Sequence, residues 1–239
     1  MATPPTVFLD ANVLRGQLTT DVVLSIAHTD LYRPRWSAEV LDEVKRNRPE
    51  KVTAERTDAR FAQMAKAFPK AMVKNYEHLM PEMQADEKDK HVLAAAVRSG
   101  SDVLVTENVK DFHPPTAGLH AMKIQRTSEF LGRLVDEEPQ LVIEAMQTMV
   151  DRNRRPPQSI PELIDKMATL QELKGFAHKL NTVVPLEQRG SHPHLQTSKA
   201  AKVAFEGVAG PMAAVTKPAA TPEARKDAGG PAKAPEKEL

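Results

Sequence analysis

Four carboxylates, Asp10, Glu43, Asp89 and Asp111, lie far apart along a chain of 239 residues, and each sits beside a short apolar run. Asp10 ends the run Thr6-Val7-Phe8-Leu9, and Asp111 follows Val103-Leu104-Val105 after a polar loop. Glu43 lies among Val40, Leu41 and Val44, and Asp89 directly precedes the stretch HVLAAA. Carboxylates that converge repel one another unless they are protonated or a cation neutralises them. A hard divalent ion with oxygen ligands, magnesium or manganese, resolves that conflict. Such an ion deprotonates water and stabilises charge on a phosphoryl oxygen, so phosphate-ester hydrolysis is the chemistry this set could do. Each acid alone also has a plainer use. Asp10 suits a helix N-cap, Asp86, Glu87 and Asp89 suit a first helical turn, and Glu39 and Asp42 suit a solvated helix face. Asp86, three residues before Asp89, competes with it for the same role.

The elements that would position these acids read as α/β. A first, central strand covers Thr6–Leu9, and helical spacing follows from Asp21 through Val22, Val23, Ile26 and Ala27. Leu31-Tyr32-Arg33-Pro34 reads as a second strand, and Ser37 caps a helix running from Ala38 to about Asn47. Glu39 and Glu43, one turn apart, share a face of that helix. The stretch DKHVLAAAVRSG is a helix from Asp89 ended by Ser99 and Gly100, and Asp102–Thr106 is a short buried strand of the parallel type. Met122–Gln125 reads as an edge strand, and Thr127-Ser128 open a helix through Phe130, Leu131 and Leu134. This alternation predicts a parallel sheet with helices on both faces over residues 1–135. Residues 136–185 read as a helical extension. One helix opens at Pro139, and a second opens at Ser159 with apolar positions to Leu173, across a basic, proline-broken link from Arg152 to Gln158. Two such helices make no core alone, so they are expected to pack on the α/β domain or on a partner. Residues 186–239, rich in Ala, Pro, Lys and Gly, read as a disordered tail.

Composition narrows the partners. The chain has no cysteine, which excludes disulfides and cysteine zinc sites and fits a reducing cytoplasm. No apolar run approaches the roughly 20 residues needed to span a bilayer, and the first ten residues lack the marks of a signal peptide. Net charge is only +1, but residues 45–74 carry nine basic side chains against three acids. The spacing of Phe61, Met64, Ala65 and Phe68 predicts an amphipathic helix there, so this segment is a candidate polyanion groove. With two tyrosines and one tryptophan, base stacking can contribute little, and Trp36 reads as core.

The segments VFLDANVL, WSAEVLDEVKRN, DKHVLAAA and VLVTENVKDF, in that order, resemble PIN-domain ribonucleases of the VapC family of type II toxins over about the first 135 residues. The helices after them resemble a C-terminal domain carried by some longer VapC-like proteins. The resemblance implies a Rossmann-like α/β/α fold with a five-stranded parallel sheet. It implies Mg2+-dependent (Mn2+ as the other option) cleavage of RNA, a homodimer, and a small VapB-like antitoxin that blocks the site. Asp10, Glu43, Asp89 and Asp111 match the family's metal-binding acids, and Thr106 and Asn108 its TxN element. Asn12 matches a polar position after the first acid, where it either orients Asp10 or stabilises the turn. Glu107 stands next to Asn108 as a substitute ligand, and His91 reads as a core or supporting group. Two other readings remain: a catalytically inactive RNA-binding or protein-interaction module of the same fold, and a phosphatase with Asp10 as nucleophile. The second of these wants another Asp where Asn12 stands.

Overall fold

A computed structural model of the protein describes residues 3–114, 118 and 120–195. The chain runs β1 (Thr6–Leu9), α1 (Ala11–Arg15), α2 (Gln17–Ala27), β2 (Arg33–Ser37), α3 (Ala38–Arg46), α4 (Ala54–Ala67), β3 (Met72–Val73), α5 (Lys90–Arg98), β4 (Val103–Val105), β5 (Lys123–Gln125) and α6 (Thr127–Glu137). Then come α7 (Pro139–Asp151), α8 (Ile160–Ala168) and α9 (Lys174–Val183). The five strands form one parallel sheet in the order β3-β2-β1-β4-β5. This is the expected α/β/α architecture. The order reverses beside β1: the chain builds outward through β2 and β3, then returns to place β4 on the other flank. Parallel sheets leave a crevice at such a reversal, outside the carboxyl ends of the two strands. Here those ends are Leu9 and Val105, which face each other in register.

The central strands are apolar because both faces are covered; Val7, Phe8, Leu9, Leu104 and Val105 are fully buried. Three elements differ from the sequence reading. The second strand lies later than Leu31–Pro34 and carries Pro34 inside it. Pro34 is tolerated because β3 pairs with β2 only at Trp36 and Ser37, so the missing N–H falls where no neighbour needs it. The two-residue β3, set between Lys70 and Lys74, was too short and too flanked by charge to read as a strand. The basic stretch is helical only from Ala54, capped by the Thr53 hydroxyl, and its apolar face puts Met64 in the core.

The C-terminal helices join the same hydrophobic core rather than forming their own. α7 packs on α2, and α9 packs on α6 and α8. Polar ties cross the seam: the Phe176 amide donates to Ser128 Oγ (3.1 Å), and Thr19 Oγ1 to Glu172 Oε1 (3.1 Å). The helix expected to reach Leu173 stops at Ala168. There Thr169 is the C-cap, its amide and hydroxyl both donating to the Lys166 carbonyl. A separate α9 follows. Residues 186–195, assigned to the tail by composition, also pack on this layer: Leu195 is buried and the His192 amide donates to Asp165 Oδ1. The rest of the expected tail, 196–239, lies outside the described residues. Among those described, no helix is long and apolar enough to cross a membrane.

A shared core predicts shared unfolding. Phe176→Ala, which empties a fully buried site in α9, should cost about 3–5 kcal/mol. Because Trp36 lies buried in β2, its fluorescence in a urea titration should report this loss as one transition that also moves the α/β half. Separate transitions for tryptophan and helical signals would contradict a common core.

Candidate active site

Asp10 leaves β1 at the reversal point, its amide still bonded to the Val105 carbonyl across the ladder (3.1 Å). It also caps α1, with Oδ1 accepting from the Ala11 amide at 2.6 Å. The plain capping role and exposure to the crevice are therefore the same geometry seen from two sides. Its Oδ2 accepts from Asn12 Nδ2 (2.6 Å) and from the Thr106 hydroxyl (2.7 Å). Thr106 is fully buried just past β4. Its oxygen in turn accepts from Asn12 Nδ2 (3.0 Å) and from the Asn108 amide (3.1 Å), which uses all its hydrogen-bonding capacity. Asn12 closes the loop by accepting from the Glu107 amide. Asn12 thus orients Asp10 and stabilises the turn at once. Asn108 enters through its backbone, and no hydrogen bond from its side chain forms among the described residues.

The other acids come from three elements around this point. One carboxylate oxygen from each of Asp86, Asp89 and Asp111 lies within 4.8 Å of the others. The Asp86 amide contacts the Asp111 carbonyl, and an isolated bridge pairs Ala85 with Phe112, so the two loops are laced together beneath these side chains. Asp86 and Asp89, rivals in the sequence, are both present. Glu43 projects from α3, and its Oε1 lies 2.8 Å from Nε2 of the buried His91. His91 Nδ1 sits 3.6 Å from Glu39 Oε2, too far for a hydrogen bond. Glu107 turns away from the cluster: its Oε1 accepts from the Thr127 amide at the start of α6, and Arg126 lies beside it.

The electrostatics are those of crowded negative charge. Burial pushes the Asp10 carboxyl up to about 6, and the charges of Glu43 and Asp89 add to the rise, against the Thr106 and Ala11 hydrogen bonds. Asp89 is also raised, first by burial and then by Asp111, Glu43 and Asp86, with Lys88 opposing. For His91, burial works to lower its pKa; the Glu43 hydrogen bond and the charges of Glu39, Glu43 and Asp10 outweigh it, and the net shift is upward. Asp89 Oδ2 is buried with no hydrogen-bond partner, and Lys88 Nζ stands 3.8 Å away. An orphaned carboxylate oxygen among all-oxygen donors fits a hard divalent cation.

The PIN domain family model matches residues 6–110, and the VapC50 C-terminal domain model matches residues 128–182. The chain is 31% identical over 110 residues to the Mycobacterium tuberculosis (strain ATCC 25618 / H37Rv) protein named "Putative ribonuclease VapC50". That match covers 46% of this chain and 64% of the relative, so it spans less than two thirds of the relative's length. No solved structure matches significantly.

The raised Asp10 carboxyl carries a stability cost with a definite sign. Between its ordinary value of 3.8 and about 6, the fold keeps a proton that the unfolded chain has released. Stability of the metal-free protein therefore falls as pH rises through that window, by up to about 3 kcal/mol. Asp10→Asn should be more stable than the parent near neutral pH without metal, and the advantage should vanish near pH 4. Urea unfolding at the two pH values measures the difference.

Proposed function

We propose that this chain, a VapC-like PIN-domain protein, is a divalent-metal-dependent endoribonuclease that acts in the cytoplasm as the toxin of a type II toxin–antitoxin pair. The observation that carries this reading is the convergence of one carboxylate oxygen from each of Asp86, Asp89 and Asp111 within 4.8 Å, with Asp10 and Glu43 as charged neighbours and one buried Asp89 oxygen without a hydrogen-bond partner. The matched relative carries the word ribonuclease in its name. Asp10, Glu43, Asp89 and Asp111 would hold the ion, with Asp86 placed to share the side of Asp89 and Asp111. Mg2+ or Mn2+, when bound, supplies acidification of water and stabilisation of charge on a phosphoryl oxygen.

The remaining work belongs to this chain's own side chains. Asn12 and Thr106 fix the Asp10 carboxylate in one orientation, and His91 holds Glu43 from behind. Supporting partners of this kind raise ligand affinity by fixing geometry before an ion arrives. The basic residues of α4 and the loop before it would hold the RNA backbone through phosphates, giving affinity without reading sequence. A small VapB-like antitoxin and a second copy of the chain are the partners this reading implies.

RNA incubated with the protein and Mg2+ should be cut internally, and EDTA should stop the reaction. Asp10→Asn should abolish cleavage and relieve any growth arrest caused by expression. Asn12→Ala, which only loosens Asp10, should need roughly 10–100-fold more metal for half-maximal rate. RNA binding by the parent with no turnover in Mg2+ or Mn2+ would instead favour the inactive RNA-binding module.

A further inference from the structure

A cavity of about 600 Å3 opens among α1, α2, α4 and the loop before α4, with the link between α7 and α8 at its edge, and its charged lining is almost all arginine. Arg15 comes from the end of α1, Arg48 from the loop after α3, and Arg56 and Arg60 from α4. Arg155 comes from the link between α7 and α8. Asp21 is the one acid in the lining. None of these five arginines forms an ion pair within 4 Å among the described residues. Arg60 Nε is buried without a hydrogen-bond partner. The lysines of the basic stretch, Lys45, Lys51, Lys66, Lys70 and Lys74, are all outside the cavity.

That every cation in the lining is a guanidinium group points to the ligand chemistry. A guanidinium presents a planar fork of donors that matches phosphate oxygens two at a time, and it desolvates more readily than an ammonium. Five such groups around one carboxylate are mutually repulsive until an anion enters. Position favours a phosphodiester over an acidic peptide. α1 starts immediately after Asp10 and ends at Arg15, a rise of about 7 Å. α3, which bears Glu43 in its second half, ends at Arg46, two residues before Arg48. The cavity thus lies at the C-terminal ends of α1, which Asp10 caps, and α3, which bears Glu43.

We infer that this cavity is a phosphate-binding subsite for the RNA backbone flanking the cleavage position, completed by Arg155 of the C-terminal half. The inference rests on the nuclease reading for its substrate but not for its chemistry. The test uses the full chain, EDTA to prevent cleavage, and a fluorescently labelled single-stranded RNA titrated at several salt concentrations. Arg56→Ala and Arg155→Ala should each weaken binding about tenfold at low salt and lower the salt slope by about 0.7, the value for one phosphate contact on a single strand. Lys70→Ala, a charge change outside the cavity, should have a clearly smaller effect. Arg155→Lys should keep the slope while losing part of the affinity.

Equal, small effects of all the alanine variants would overturn the subsite. So would unchanged RNA binding by Arg56→Ala and Arg155→Ala accompanied by lost binding of a polyglutamate peptide, which would assign the cavity to an acidic protein segment. The two readings fail separately. Parent protein that cuts RNA while these variants bind it normally would remove the subsite alone. Variants that lose binding while the parent never cuts would retain the subsite and remove the nuclease.

Discussion

Negative charge held in a drying crevice is the constraint on which the rest of this structure turns. A carboxylate at the end of a buried strand is cheap to place only while water or protons reach it. Asp10 is 6% exposed and has Glu43 and Asp89 as electrostatic neighbours. The fold tolerates this by giving Asp10 and Glu43 fixed hydrogen-bond partners, while the buried Asp89 Oδ2 has none. Thr106 and Asn12 restrain Asp10 from the β4 side and the α1 side. His91 restrains Glu43 from α5. The parallel sheet is what makes these restraints possible, because only a reversal of strand order brings the ends of β1 and β4 together with a gap above them.

Much of this was legible in the residues alone. Strands that are buried on both faces are continuous apolar runs, so β1 and β4 could be read directly, as could the Ser37 and Ser159 caps and the Gly100 terminus, where φ is +60°. What escaped was set by tertiary context. β3 is two residues long and is a strand only because β2 supplies its ladder. The break between α8 and α9 falls inside one continuous apolar spacing, where Leu170 and Leu173 keep facing the core after the helix has ended at Ala168. Among the candidate site residues, the sequence offered Asn12 as a partner for Asp10 and His91 as a supporting group, but not which acid His91 supports. The Glu43–His91 pair spans 48 positions, and no local pattern encodes it. Asp86 and Asp89 could not be separated by spacing, and the geometry explains why: both side chains reach Asp111.

The C-terminal helices change the character of the molecule. Two helices too few for a core of their own were expected to pack on the α/β domain or on a partner, and they pack on the α/β domain. α7 against α2 and α9 against α6 cover surfaces that a solitary α/β domain would expose. Arg152 reaches back to Ser25, and its neighbour Arg155 enters the arginine cavity beside α4. Charge that looks dispersed along the sequence is therefore concentrated in space, with acids at one end of α1 and guanidinium groups at the other.

The clasp at Glu107 extends that interdependence to the loop behind β4. Its amide is held by Asn12, its carboxylate receives the first amide of α6, and Arg126 grips both its side chain and its carbonyl. One residue of the loop thus joins the helix that follows Asp10 to α6, on which α9 packs. The segment carrying Asn108 and Asp111 hangs from that junction like a bracket bolted at two ends. The start of α6 and the polar loop that bears Asp111 are thus tied to each other through a single side chain.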